Sequence, residues 1–409
     1  MTEVLLPSPL RRTSPWRSAP FRWLLVGRTV SSLGSAIAPV ALALAVLHLG
    51  GSAAELSLVV AAYALLDVVV TLFAGVLGDR VSRTMLMRVV AVLAGAAQAL
   101  VALGLVEGWA TVPFLAVMSA VSGGLSALGG PSSRAVLSQT VPEAVLPTAV
   151  STLRLSQNSA MVIGFSLAGL LVAVFGAGWA IAIDAATFAV AAVCFSAMSV
   201  EPLAVPGGRS VLEDLRSGAA EVFRHTWLWV LIVQALVYHL LYGGVQGVLG
   251  PIVVTRTFGD AAWGWALAAL MGGFMVGGLI TLRYRPRRML LAGTAFLALT
   301  ACFPLAMGLR VPLAVILAGA FLHGLGLEVF SVNWDLAIQQ NVAPDKLARV
   351  FAFDQVGSFV MRPLGLALTG PVAQALGERP WLLVTAGAMF AATVLALLPP
   401  SVRGLVRRP

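Results

Sequence analysis

Twelve apolar runs, each about as long as a bilayer is thick, constrain this chain more than any other feature. They lie at about 21–47, 56–78, 84–105, 112–133, 148–175 and 178–198, and then at about 227–249, 262–282, 288–307, 312–334, 349–376 and 380–398. A helix needs about 20 residues to cross the hydrocarbon core, and most of these runs exceed that. The alternative of a water-soluble domain fails on composition. Of 409 residues, 59% are hydrophobic and only 11% are charged, whereas a soluble domain carries about 25% charged residues to cover its surface. The chain is expected to be an all-α membrane protein of twelve transmembrane helices.

The short connections carry the charge, and they carry it unevenly. Arg80, Arg83, Arg88, Arg134, Arg209, Arg216, Arg224, Arg283, Arg285, Arg287, Arg288, Lys346 and Arg349 fall on one side; Arg256, Arg310 and Arg379 fall on the other. The positive-inside bias then puts both termini in the cytoplasm. The net charge of +9 sits between apolar runs and not along one face, so nucleic acid is not the expected partner; lipid is. The expected division is a tail over 1–20, a six-helix bundle over 21–198, a linker over 199–226, a second six-helix bundle over 227–398 and a tail over 399–409. Val211, Leu215, Ala219 and Val222 stand at helical spacing in the linker, which predicts an amphipathic surface helix there.

The two halves repeat. A shift of 201 residues aligns Gln139 with Gln340, Val141 with Val342 and Leu146 with Leu347. It continues with Gly164 on Gly365, Gly169 on Gly370 and Gly176 on Gly377. An offset near half the length, joining spans four and five to spans ten and eleven, predicts two parallel, pseudo-symmetric six-helix bundles.

Between spans two and three the chain reads Gly75-Val-Leu-Gly-Asp79-Arg80-Val-Ser82-Arg83-Thr84. It resembles the signature loop of the major facilitator superfamily, roughly G-x-L-x-D-R-x-G-R-K. Gly75, Leu77, Asp79, Arg80 and Arg83 match, while Ser82 stands in place of a glycine and Thr84 in place of a basic residue. The resemblance implies the twelve-helix major facilitator fold, with Gly75, Asp79, Arg80 and Arg83 forming a cytoplasmic gate in which Asp79 engages the start of the eleventh helix near Ala348–Val350. Arg28-x-x-Ser31-x-x-Gly34, Pro131, Val141-Pro142-Glu143 and Ile183-Asp184-Ala185-x-x-Phe188 are similar to the branch of bacterial exporters for macrolides, tetracyclines and siderophores. Gly164-Phe-Ser-Leu-Ala-Gly169 loosely resembles the antiporter-associated motif of the fifth helix. The Ala110–Gly130 stretch lacks the basic residue that many drug antiporters carry early in span four.

Ionisable groups within the spans are expensive to bury and are therefore the candidates for function. Asp67 lies mid-span in the second helix and Arg362 in the eleventh, helices that neighbour each other in the superfamily fold. The two are expected to approach at mid-membrane, either as a pair weakened by protonation or as a static ion pair. Glu328, deep in the tenth span, is read as a cavity carboxylate that binds a proton or a cationic substrate, or as a partner for Arg28. Asp354 and Asp335 are expected nearer the cytoplasmic edge as solvated or capping residues, and Asp184 in a peripheral helix is expected to be structural. His239, Tyr242 and Gln246 share one face of the seventh span, as a mixed aromatic and polar pocket wall or an interhelical hydrogen-bond seam. Arg28, Asn158, Asn333 and Trp334 complete the expected substrate cavity.

His48, His225, His239 and His323 show no metal-ligand spacing, and no phosphate-binding Gly-x-x-x-x-Gly-Lys is present. The sequence is therefore expected to use no cofactor and to perform no enzymatic step, with the proton gradient as its energy source. The expected function is export of a small, amphipathic organic molecule in exchange for protons by alternating access, by a monomer in a bacterial inner membrane. A metabolite symporter or facilitator, or a non-transporting receptor or scaffold, are the alternatives.

Overall fold

A computed structural model describes residues 14–78, 82–142, 145–199, 211–284, 286–343 and 346–407. In hydrocarbon every backbone N–H and C=O must be satisfied inside the segment that carries it, and this chain meets that demand with helices throughout. Among the described residues, twelve are long and apolar enough to cross a membrane. The first half contains α1 (Ala19–His48), α2 (Ala53–Gly78), α3 (Arg83–Val106), α4 (Val112–Thr140), α5 (Leu146–Phe175) and α6 (Ala177–Ser196). After the surface helix α7 (Val211–Arg224), the second half begins with α8 (Thr226–Gly244) and α9 (Gly250–Phe258), which together make the seventh span. It continues with α10 (Asp260–Arg283), then α11 (Met289–Leu297) and α12 (Cys302–Leu309) as the ninth span. Finally come α13 (Leu313–Asn341), α14 (Leu347–Phe359) with α15 (Arg362–Leu376) as the eleventh span, α16 (Glu378–Ala396) and the short α17 (Pro400–Gly404).

Successive spans alternate in direction, so the molecule has a near end, where α1 starts and α16 finishes, and a far end, where α1 finishes. Large apolar side chains such as Leu58, Leu65, Val117, Val193, Leu279 and Leu395 are exposed around the periphery, where lipid chains would meet them. Exposed tryptophans fall in two groups. Trp16, Trp23 and Trp229 lie toward the near end and Trp109, Trp179 and Trp265 toward the far end, as interfacial aromatic belts do.

Three spans of the second half are interrupted, each beside a proline that cannot donate a helical hydrogen bond. In the seventh, a π turn over Val245–Leu249 precedes Pro251, and Gly250 N–H donates to the Val245 carbonyl. In the ninth, a 3-10 turn over Ala298–Ala301 precedes Pro304. In the eleventh, the helix breaks between α14 and α15, immediately before Pro363. The seventh span therefore runs to Phe258 and not to about 249: Gly250-Pro251 bends the helix without ending it.

Helices in lipid gain little from apolar burial and associate through close packing, which favours small residues at the contacts. The glycines show this pairwise, in accord with the repeat. Gly164 on α5 packs against the Leu33 carbonyl of α1, and Gly365 on α15 packs against the Leu240 carbonyl of α8. Gly169 meets the Asp260 carbonyl of α10 across the two halves, and Gly370 meets the Ala53 carbonyl of α2. Gly176 and Gly377, at the ends of the same two helices, both adopt left-handed backbone, φ 84° and 92°, where a side chain would be strained. The two bundles are thus joined at the far end by two related glycine contacts. Gly370 N–H donates to Ser57 Oγ at 2.8 Å, and His48 Nε2 lies 3.1 Å from Asp260 Oδ2.

Candidate functional site

Between the halves lies a cavity of about 490 Å3, within the range of small-molecule sites. Asp67 of α2 and Arg362 of α15 both line it, one from each half, and they are the charged side chains among its lining residues. Arg362 follows the break in the eleventh span and packs its Cγ near Gly243 of α8, where a Cβ would stand 3.3 Å away. Asp67 and Arg362 are within electrostatic range of each other. Among the described residues no contact ion pair joins them, so each still faces the cavity. Arg362 also acts electrostatically on Tyr63 of α2 and on Tyr238, His239 and Tyr242 of α8.

The rest of the wall is amphipathic. Gln98, Ser122, Ser126 and Gln246 offer hydrogen-bond groups, while Trp263 and Phe165 offer aromatic surface. Such a wall holds an organic molecule by area and orients it by a few polar contacts. The far-end glycine contacts close one side. Toward the near end Arg154 of α5 and Asp335 of α13 remain exposed, with Arg154 in electrostatic range of Asp335 and Glu328.

The sequence profile of the Major Facilitator Superfamily matches residues 24–366. The chain belongs to that superfamily. Among its relatives, the multidrug efflux pump Tap of Mycobacterium tuberculosis is 29% identical over 401 residues, covering 94% of each chain. Macrolide efflux protein A of Streptococcus pyogenes is 22% identical over 295 residues, 67% of this chain and 70% of that one. The fold is shared with solved transporters. A point mutant of the nucleoside transporter NupG superposes with a TM-score of 0.76 at 10% identity, covering 93% of this chain and 99% of its own. A bacterial homologue of the lysosomal transporter Spinster, in an inward-facing conformation, gives 0.68 at 16%, covering 97% and 99%.

Within this major facilitator fold the expected site residues divide. Asp67, Arg362 and Gln246 reach the cavity. His239 and Tyr242 do not line it: the His239 ring lies 4.1 Å from Phe359, and Tyr242 stacks at 4.0 Å on His323. Asn333 and Trp334 belong to packing inside the second half. The Asn333 amide donates to the Val329 carbonyl at 2.8 Å, and Trp334 Nε1 donates to Asp354 Oδ2 at 3.1 Å. Asp354 is therefore buried among donors, with Ser358 Oγ at 3.0 Å, and not a solvated edge residue. Asn158 is exposed on α5 and does not line the cavity.

Glu328 is half-buried on α13, packed beside Gly277 of α10. Its basic neighbour is Arg154 and not Arg28. Arg28 is engaged by Gln157: with its amide oxygen turned toward α1, Gln157 accepts from Nη2 at 3.1 Å and Nε at 3.2 Å. Of the expected gate, Asp79 and Arg80 lie outside the described residues. For Gly75 and Arg83 the helix backbone is described: α2 runs through Gly75 to Gly78 and α3 starts at Arg83, with Ser82 Oγ capping by accepting from Met85 N–H at 3.3 Å. Ser82, which replaces the glycine of the superfamily loop, thus satisfies a helix N-terminus.

Sequence reasoning overlooked Arg154, although the rule that selects Asp67 also applies to it. It gave no role to His323. That ring is wholly buried, with Nδ1 2.7 Å from the Thr300 carbonyl and Nε2 2.7 Å from Tyr238 Oη. A carbonyl can only accept, so Nδ1 carries the proton. The Thr300 carbonyl is available because Pro304, four residues on, has no N–H to give it.

Proposed function

We propose that this major facilitator protein exports amphipathic organic molecules in exchange for protons, by alternating access across a bacterial plasma membrane with both termini in the cytoplasm. The observation that carries the reading is the pair of opposite charges, Asp67 and Arg362, facing one amphipathic cavity from the two halves without contact. Whether the Asp67 carboxyl carries a proton decides how strongly it attracts Arg362 across that cavity. Protonation therefore biases how the two halves sit against each other, which is the coupling an antiporter requires. Glu328 and Arg154, on opposite halves toward the near end and within electrostatic range of each other, supply a second charge-dependent interaction. In this orientation the far-end glycine contacts close the extracellular side and the cavity communicates with the cytoplasm. The drug and macrolide exporters among its relatives support an organic, drug-like substrate.

The test is transport in proteoliposomes under an imposed pH gradient, with a panel of macrolides, tetracyclines and lipophilic cations. The wild type is expected to move a compound against its gradient only when ΔpH is present. Asp67→Asn is expected to cut that uphill transport at least about tenfold, about 1.4 kcal/mol of lost coupling, while equilibrium exchange persists. Glu328→Gln should reduce it in the same sense. Transport that ignores ΔpH in wild type and variants alike would replace the antiporter with a facilitator.

A further inference from the structure

Asp184 on α6 has no place in the cavity mechanism above and is the most deeply buried carboxyl described: its exposure is 0%. Thr187 Oγ1, one turn on, donates to the Asp184 main-chain carbonyl at 2.7 Å and lies 3.4 Å from Oδ1. From α3, the Gln98 side chain extends toward the same carboxyl. Oδ2 has no hydrogen-bond partner in the protein. Gly34 of α1 makes the site possible, since any Cβ there would collide with Asp184 Oδ1 and Thr187 Oγ1.

Among the described residues no cation contacts Asp184. The charged side chains described on the helices packed against α6 are committed elsewhere. On α1, Arg28 is held by Gln157, Arg22 by the Trp16 carbonyl, and His48 pairs with Asp260. Arg88 on α3 donates to the carbonyls of Phe195 and Met198. Arg154 on α5 faces Glu328 and Asp335. The titratable group in electrostatic range is the Tyr63 phenol of α2, which is neutral over the working pH range and itself lines the cavity. A carboxylate with no counter-ion and no water-facing atom, approached only by the neutral Gln98 amide and a long Thr187 contact, is costlier than the neutral acid.

Gln98 is the link. It lines the central cavity on one side and reaches Asp184 on the other. We propose that Asp184 is a second proton-binding site of the transporter, loaded and unloaded from the central cavity past the Gln98 side chain. With the polar Gln98 side chain lining the way, a hydronium ion from the cavity gives its proton to a carboxylate oxygen of Asp184 and leaves as water; release is the reverse. The site's ligand is a proton. Its part in coupling rests on the antiporter reading, but its occupancy does not.

Two measurements on the full-length protein reconstituted in lipid separate these. In infrared spectra at neutral pH, the carbonyl stretch of a protonated carboxylic acid is expected in the wild type and is lost in Asp184→Asn. Thr187→Val, which removes the hydroxyl 3.4 Å from Oδ1, is expected to shift that band, and this assigns it even if Asp184→Asn does not fold. Gln98→Leu is expected to keep the band but slow its exchange in D2O, because the link to the cavity is cut. A band unchanged in Asp184→Asn, or in Thr187→Val, overturns the site, and exchange unchanged in Gln98→Leu overturns the path. In proteoliposomes, substrate-driven proton release is expected to fall in Asp184→Asn while substrate binding is retained. Proton release equal to wild type would overturn its coupling role. A wild type with no proton release at all would overturn the antiporter reading and that role together, leaving the infrared assignment standing.

Discussion

Two buried polar groups on different elements depend on the His323 ring, and removing it strands both. His323 joins Tyr238 of α8 to the Thr300 carbonyl of the broken ninth span. His323→Phe keeps the ring volume but leaves a buried hydroxyl and a buried carbonyl unpaired, at a cost of about 1–3 kcal/mol each. The melting temperature in detergent is expected to fall, and adding Tyr238→Phe to recover part of the loss. Such partnerships were the least legible part of the sequence. Asp67 and Arg362 could be read because a charge inside an apolar run is visible by itself. Gln98 beside Asp184, or Gln157 on Arg28, could not, because the chain gives no sign of which uncharged side chain will face which charge. Asn333 and Trp334 looked like cavity residues for the same reason: polarity in a span shows that a partner exists but not where it lies.

The helices themselves were legible, since each must be apolar over a bilayer's thickness and helical throughout. Their interruptions were half legible. Pro251 and Pro363 are plain in the sequence, yet a proline removes only one hydrogen bond, and a π turn or a two-residue break can absorb it within a span. The break before Pro363 places Arg362 at a point where the backbone is free to turn. Pro363→Ala restores the missing donor to the Phe359 carbonyl. It is expected to slow transport severalfold with little change in substrate affinity, measured as initial rate against equilibrium binding. Gly370→Leu acts at the other contact of α15: its side chain cannot fit against the Ala53 carbonyl, so the far-end seal should fail to close. Spin labels placed on the far ends of α2 and α15 are expected to move apart in that variant.

At the scale of the whole molecule, the 201-residue repeat predicted two related halves, and the fifth and eleventh spans occupy related places in them: α5 packs against α1 and α10, and α15 against α8 and α2. The linker helix adds an asymmetry. α7 docks on α14, with Gly218 against the Arg349 carbonyl and Phe223 edge-on to Phe353, centroids 6.3 Å apart. Lys346 Nζ is 2.8 Å from Glu221 Oε2. The hydrogen bond from Lys346, with Arg224 and His225 nearby, holds the Glu221 carboxyl below its usual range. A depressed carboxylate stabilises the docked state above its unfolded pKa, and that contribution is lost as pH falls through the folded value. It amounts to at most about 1 kcal/mol for a pair open to solvent. The amide protection factors of α7, corrected for the intrinsic exchange rate, are expected to fall on acidification below about pH 4, and Glu221→Gln to remove that pH dependence.

The positions of the far-end contacts also fix a leverage. Gly169 lies about 9 Å from the far tip of α5 and about 35 Å from its near tip, at 1.5 Å per residue. If that contact acts as a fulcrum, a rotation of about 15°, as subunits make in other switching proteins, swings the near tip by about 9 Å and the far tip by only about 2 Å. A molecule pivoted so close to one face opens the opposite mouth widely for a small turn. To open the first it must abandon that fulcrum and take up another.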